Sequence, residues 1–140
     1  MTSPNPDRPV LQLRIAITTS DYERLVKFYC EGLGIEPAAI WNNDGGNALM
    51  LEMGKATLEV FDESHAEAVD QLEAGQRVSG AIRLALQVPD VQPAMERLLA
   101  NGATLVHPPV LTPWGDYNAR LQDPEGMQIT LFQEPEHDEP

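Results

Sequence analysis

The chain repeats itself, and an internal repeat restricts the possible folds more than any single motif does. Arg14-Ile15-Ala16-Ile17-Thr18-Thr19-Ser20-Asp21 is echoed by Arg83-Leu84-Ala85-Leu86-Gln87-Val88-Pro89-Asp90. Each copy has an Arg, an aliphatic-Ala-aliphatic run and an Asp seven positions after the Arg. A chain of 140 residues built this way fits two small modules sharing one core.

Both openings alternate with period two. Leu13, Ile15 and Ile17 fall on one face, and Arg14, Ala16 and Thr18 on the other. In the second copy Ile82, Leu84, Leu86 and Val88 oppose Arg83, Ala85 and Gln87. Such strands suit an apolar face against helices and a mixed face lining a cavity. A helix is expected after each. Tyr22, Leu25, Val26 and Tyr29 make the first apolar stripe, opened by a Ser20/Glu23 capping box and stopped by Gly32 and Gly34. Val91, Ala94, Met95, Leu98 and Leu99 make the second, capped by Asp90 and ended by Asn101-Gly102. Three short strands then follow in each copy: about 36–42, 47–53 and 56–62, then about 104–110, 115–122 and 127–133. Turns fall at Asn43-Asp44-Gly45-Gly46, Met53-Gly54-Lys55 and Asp123-Pro124-Glu125-Gly126. The predicted organisation is an arm at 1–10, a first βαβββ module at 11–62, a linker at 63–80, a second module at 81–133 and an acidic tail at 134–140. The linker carries Ala66, Val69 and Leu72 at helical spacing and is expected to form a short acidic helix.

Nine basic side chains face 22 acidic ones, a net charge of −13. A surface this acidic repels phosphate backbones and anionic lipid, which argues against nucleic-acid and membrane partners. No apolar run approaches the roughly 20 residues of a membrane span. The opening MTSPNPDRPV lacks the apolar core of a signal peptide, so a cytoplasmic location is expected. The single cysteine, Cys30, reads as a small apolar residue of the first helix.

Three stretches resemble a known family. Ser20-Asp21, Phe28-Tyr29 and Leu33-Gly34 are similar to its opening; Thr112-Pro113-Trp114-Gly115 and Asp123-Pro124-Glu125-Gly126-Met127-Gln128-Ile129-Thr130-Leu131 are similar to its later motifs. The family is the glyoxalase/bleomycin resistance/extradiol dioxygenase superfamily, and the resemblance covers about 11–133. It implies an α+β fold, two βαβββ modules forming a cup-shaped mixed sheet. It also implies a small-molecule ligand and a homodimer, either with one cup per chain or with modules exchanged between chains.

Metal-dependent members commonly place His early in each module and Glu in each module's last strand. By resemblance those positions fall on Arg14, Glu59, Arg83 and Thr130. A guanidinium stays protonated and offers no lone pair. Thr is a poor ligand, and only Glu59 is a good oxygen donor. No metal and no cofactor are therefore expected. Two readings of the altered site stay open. Glu59 bridges Arg14 and Arg83 structurally, or one guanidinium keeps donors for an anionic ligand. Strand alternation adds Thr57 and Phe61 beside Glu59, Gln128 and Phe132 beside Thr130, and Asn118 and Arg120 on the seventh strand. Trp41 and Trp114 are candidate stacking walls. His65 and His107 are read as surface or cavity-wall residues, and His137 as solvated. The favoured function is a metal-independent binding protein. The alternatives are a metal-dependent lyase, isomerase or dioxygenase with a displaced site using Glu59 and His107, and a non-catalytic interaction module. No Gly-rich phosphate loop, GxSxG, HExxH or CxxC motif is present.

Overall fold

The computed structural model describes residues 14–43, 46–56, 59 and 61–135. The second repeat builds a complete βαβββ unit. Its strands are β3 (Leu84–Gln87), β4 (Thr104–Leu111), β5 (Tyr117–Gln122) and β6 (Gln128–Gln133), with helix α3 (Val91–Ala100) after β3. They form one mixed sheet in the order β3-β6-β5-β4. The β3–β6 pair is parallel, with Leu84 opposite Ile129 and Ala85 opposite Thr130. The β5–β6 and β4–β5 pairs are antiparallel. The β4–β5 register shifts twice, between Leu105 and His107 and between His107 and Val110. Pro108 and Pro109 cannot donate to a ladder, and β4 is an edge strand, where such irregularity is tolerated.

The alternation read from the sequence divides this sheet into two unlike faces. Ala119, Leu121, Ile129 and Leu131 pack with Val91, Ala94, Met95 and Leu98 of α3 and with Leu25, Phe28 and Tyr29 of helix α1 (Tyr22–Leu33). Leu84, Leu86 and Val88 border this core. The opposite face carries Asn118, Arg120, Gln128 and Thr130, all buried.

Helix α1 starts one residue later than the capping-box reading places it. The Asp21 carboxylate, not Ser20, accepts from the Arg24 N–H at 3.3 Å. Gly34, at φ 71°, closes the helix in the left-handed region, where glycine carries no Cβ penalty. Gly32 lies inside the helix instead. A Cβ there would stand 2.9 Å from Leu98 Cδ2, so the glycine lets α1 approach α3. The Phe-Tyr and Asp-Pro-x-Gly motifs meet in space. The Tyr29 hydroxyl donates to Asp123 Oδ2 at 2.8 Å, and Asp123 Oδ1 accepts from the Glu125 and Met127 N–H groups. Burial, followed by the Asp123 carboxylate, pushes the Tyr29 phenol far above its ordinary pKa.

The first repeat differs. Strands β1 (Ala39–Asn43) and β2 (Gly46–Met50) form an antiparallel hairpin with Trp41 opposite Ala48. Asp44 and Gly45 of the predicted turn lie outside the described residues. Residues 14–19 are not in a strand, although the pattern predicts one. In the second repeat the equivalent segment exists as a strand through its ladder to β6. The corresponding partner here, about 56–62, includes 57, 58 and 60, which lie outside the described residues, as do Leu13, the arm at 1–10 and His137.

The linker does form a helix, α2 (Glu63–Ala74), capped by Asp62 at its start and Gly75 at its end. Its most buried residues are not the apolar ones at helical spacing. Asp70, Glu73 and Ala74 are its buried residues, while Ala66, Val69 and Leu72 are half-buried. The helix lies against β4 and β5, where the polar face of the sheet offers cations rather than hydrocarbon.

Candidate functional site

The site grows from Arg120 at the middle of β5. Its side chain is fully buried, so the charge must be matched locally. Nη2 donates to Glu73 Oε1 at 3.0 Å and Nε to the same oxygen at 3.3 Å. Nη1 lies 3.1 Å from Asp70 Oδ1 and 3.1 Å from Gln128 Oε1. Both carboxylates come from α2, one helical turn apart, so they share a face. Asp70 also accepts from Val78 N–H, Ser79 N–H, the Ser79 hydroxyl and Arg77 Nη1. Burial alone would raise its pKa. The donors of Ser79 and Val78 together with Arg120 outweigh that and hold the carboxyl well below the usual carboxylate range.

Thr130 on β6 is the second centre. Its hydroxyl donates to Glu73 Oε1 at 2.7 Å and accepts from Arg83 Nη1 at 2.7 Å and Arg120 Nε at 3.2 Å. Among the described residues this is the only hydrogen bond of Arg83, and no carboxylate lies within 4.0 Å of its guanidinium. The group also rests 5.7 Å from the centre of the Phe61 ring. Burial pulls the Arg83 pKa down. Glu73 opposes this, Arg120 adds to it, and Glu59 and Asp70 oppose it more weakly.

Beside this cluster a shallow cavity of about 530 Å³ is lined by Glu59, Phe61, Asp62 and His65. The His65 ring meets Phe61 edge-on at 4.4 Å. A smaller cavity of about 310 Å³ runs past Ile17, Ile82, Met127 and Gln128.

The structure therefore brings Thr130 and Gln128 together around Arg120, with Arg83 joined through Thr130 and Phe61 against Arg83. Glu59 reaches Arg83 through its charge and lines the cavity, but it is exposed. Arg14 is also exposed. Arg83 is linked through the Thr130 hydroxyl to Glu73. Trp41 is 45% exposed and Trp114 is 55% exposed, and neither lines a described cavity. Trp114 instead belongs to the Thr112–Asp116 turn, its indole N–H donating to Asp116 Oδ2 at 2.9 Å. His107 stands opposite Arg120 in the ladder, its Nδ1 2.7 Å from the Pro108 carbonyl. Phe132 is half-buried, and Thr57 lies outside the described residues.

Sequence reasoning missed Asp70, Glu73 and Ser79. The available signal was charge. Two guanidinium groups on the cavity face require carboxylates, and Asp70 and Glu73 are correctly spaced on the linker helix to supply them.

The model of the Glyoxalase/Bleomycin resistance protein/Dioxygenase superfamily matches residues 12–131. The chain belongs to this superfamily. Solved relatives agree with the fold. A glyoxalase-related enzyme from Fulvimarina pelagi is 25% identical, with 90% of each chain covered and a TM-score of 0.57. A superfamily member from Sphaerobacter thermophilus is also 25% identical, covering 89% of this chain and 98% of that one, at a TM-score of 0.59. A family enzyme from Burkholderia phytofirmans is 24% identical over 84% of this chain and 93% of that one, at a TM-score of 0.56. No curated protein matches the chain.

At one of the positions expected to carry the superfamily's metal, the donor chemistry of Thr130 does not suit a divalent ion. At the last-strand position the Thr130 oxygen already takes part in three hydrogen bonds, two of them from guanidinium groups. A divalent ion there would face two positive charges with no free lone pair. Among the described residues no three His, Cys, Asp or Glu side chains come together in a group that could hold a metal ion. No helix among them is long and apolar enough to cross a membrane.

Proposed function

We propose that this superfamily member binds a small organic molecule in its cup without a metal ion. The observation that carries the reading is Arg83. It is half-buried, among the described residues it makes one hydrogen bond and has no carboxylate within 4.0 Å, and it sits behind the phenyl wall of a 530 Å³ cavity. A desolvated guanidinium with donors left over suits a carboxylate or another planar anion, and Phe61 and His65 suit an adjoining apolar or aromatic body. The Arg14, Glu59 and Gln128 side chains are further contacts in this reading, and Trp41 and Trp114 are contacts only if the cup is extended by a second chain. A homodimer is the proposed assembly, because Ile15, Ile40 and Leu111 are all more than half exposed.

Thermal unfolding with and without divalent ions tests the metal-free part. Zinc, nickel, manganese or iron(II), and equally a chelator, should leave Tm of the full chain within about 1 °C. A ligand that binds only the native state raises Tm by mass action. A saturable rise of several degrees with one of these ions, reversed by chelator, would return the chain to the metal-dependent lyase, isomerase or dioxygenase reading.

A further inference from the structure

Glu73 shows what the buried donor set accepts. Its carboxylate is 4% exposed. It receives Arg120 Nη2 at 3.0 Å, Arg120 Nε at 3.3 Å, the Thr130 hydroxyl at 2.7 Å and Asn118 Nδ2 at 3.0 Å. Every one of these donors belongs to β5 or β6 and none to α2. The sheet thus carries a complete carboxylate-binding site, and the helix supplies the carboxylate.

Two further observations bear on how firmly Glu73 holds that place. Of the twelve residues of α2 only Asp70, Glu73 and Ala74 are buried. The helix therefore turns its acids furthest inward, while Ala66, Val69 and Leu72 are only half-buried, so apolar burial holds it less firmly than a fully buried stripe would. Asp70 serves the 77–79 loop and Arg120 Nη1, which leaves Glu73 as the part that fills the site. In addition, Asn118 is 5% exposed, and among the described residues its Oδ1 has no hydrogen-bond partner. The amide cannot be reversed without turning that oxygen on Glu73. An unpaired buried acceptor is destabilising, and Glu73, having no donor beside its carboxylate, cannot satisfy it.

We infer that Asn118, Arg120 and Thr130 form a subsite for the carboxylate of a small organic acid, which Glu73 occupies in cis. The preferred ligand carries a hydroxyl or amine next to its carboxylate, the donor that Asn118 Oδ1 lacks. Helix α2 is then a built-in competitor that such an acid displaces. Arg83, bonded to Thr130, connects the subsite to the open cavity. The inference rests on the small-molecule reading of the cup and names the ligand class.

The test is chemical rescue in the full chain. Glu73→Ala removes the occupant, and Tm is measured in about 100 mM sodium chloride, acetate or glycolate at equal ionic strength. Acetate should raise Tm of the variant by about 3–6 °C over chloride. Glycolate should raise it further, and wild type should show the same order of salts with a much smaller spread, because Glu73 competes in cis. Adding Arg120→Met to the variant should abolish the difference. If Glu73→Ala does not fold in chloride, the yield of native circular dichroism on refolding in each salt gives the same comparison. Equal Tm or equal yield in all three salts overturns the inference. Rescue in a protein that binds no organic molecule as purified would overturn only the small-molecule reading, and a bound organic molecule without rescue only this one.

Discussion

Arg120→Met is expected to lower the unfolding free energy by about 3–5 kcal/mol, the range for removing one partner of a buried ion pair. That corresponds to roughly 10–20 °C in Tm for a domain of this size. Methionine fills most of the volume, so the loss is electrostatic. Glu73 keeps the Thr130 hydroxyl and the Asn118 amide but loses its counter-charge in a site closed to water. Asp70 keeps Arg77 and the 78–79 donors, so most of the cost falls on Glu73. Adding Glu73→Gln to Arg120→Met should recover part of the loss, because the orphaned charge is gone. The two effects should be strongly non-additive, as expected for groups in one network. Urea unfolding of the four chains of this cycle is the measurement. A loss below about 1 kcal/mol, typical of exposed pairs, would mean that water reaches Arg120.

Asp70→Asn should cost about 2–4 kcal/mol, given that hydrogen bonds to charged groups are worth about 1.5–3 kcal/mol each. The carboxylate is acceptor-only and is surrounded by donors alone. Oδ2 faces Arg77, Val78 N–H and Ser79 N–H, and Oδ1 faces the Ser79 hydroxyl and Arg120. Whichever way an amide is turned, its NH₂ points at a guanidinium. The same residue sets an acid limit. Its folded pKa lies below the unfolded value, so its contribution is fully present above the unfolded pKa of about 3.9. That contribution is lost as pH falls from there toward the folded pKa. Wild type should therefore lose stability progressively below about pH 4, and Asp70→Asn should show a shallower slope in the same window. Parallel slopes would contradict the assignment.

How far the sequence could be read is clearest at particular residues. The alternation around Arg83 and Arg120 placed both on the cavity face, because a strand has one period and two sides. The stripes of α1 and α3 were legible for the same reason. Residues 14–19 carry the same pattern but are not in a strand, and 57, 58 and 60 of the segment that would ladder with them lie outside the described residues. The linker was legible as a short acidic helix, but which of its residues turn inward was not. Ala66, Val69 and Leu72 look like a core stripe, and hydrophobicity is the usual guide. The surface they meet is cationic, so Asp70 and Glu73 turn inward instead. That surface is assembled from β5 and β6, about 50 residues further along the chain, and no local window holds both partners. Trp114 marks another limit of local reading. Its motif is a turn, and the ring serves that turn.

The central claim is that guanidinium groups stand where a cation would lodge, leaving a cup for an organic guest. Native mass spectrometry of the full chain, purified without chelator, tests this most directly. The account predicts no divalent ion bound and a small organic adduct that is lost from Arg83→Met. One zinc, iron, nickel or manganese ion per chain, retained in Arg83→Met, would contradict it.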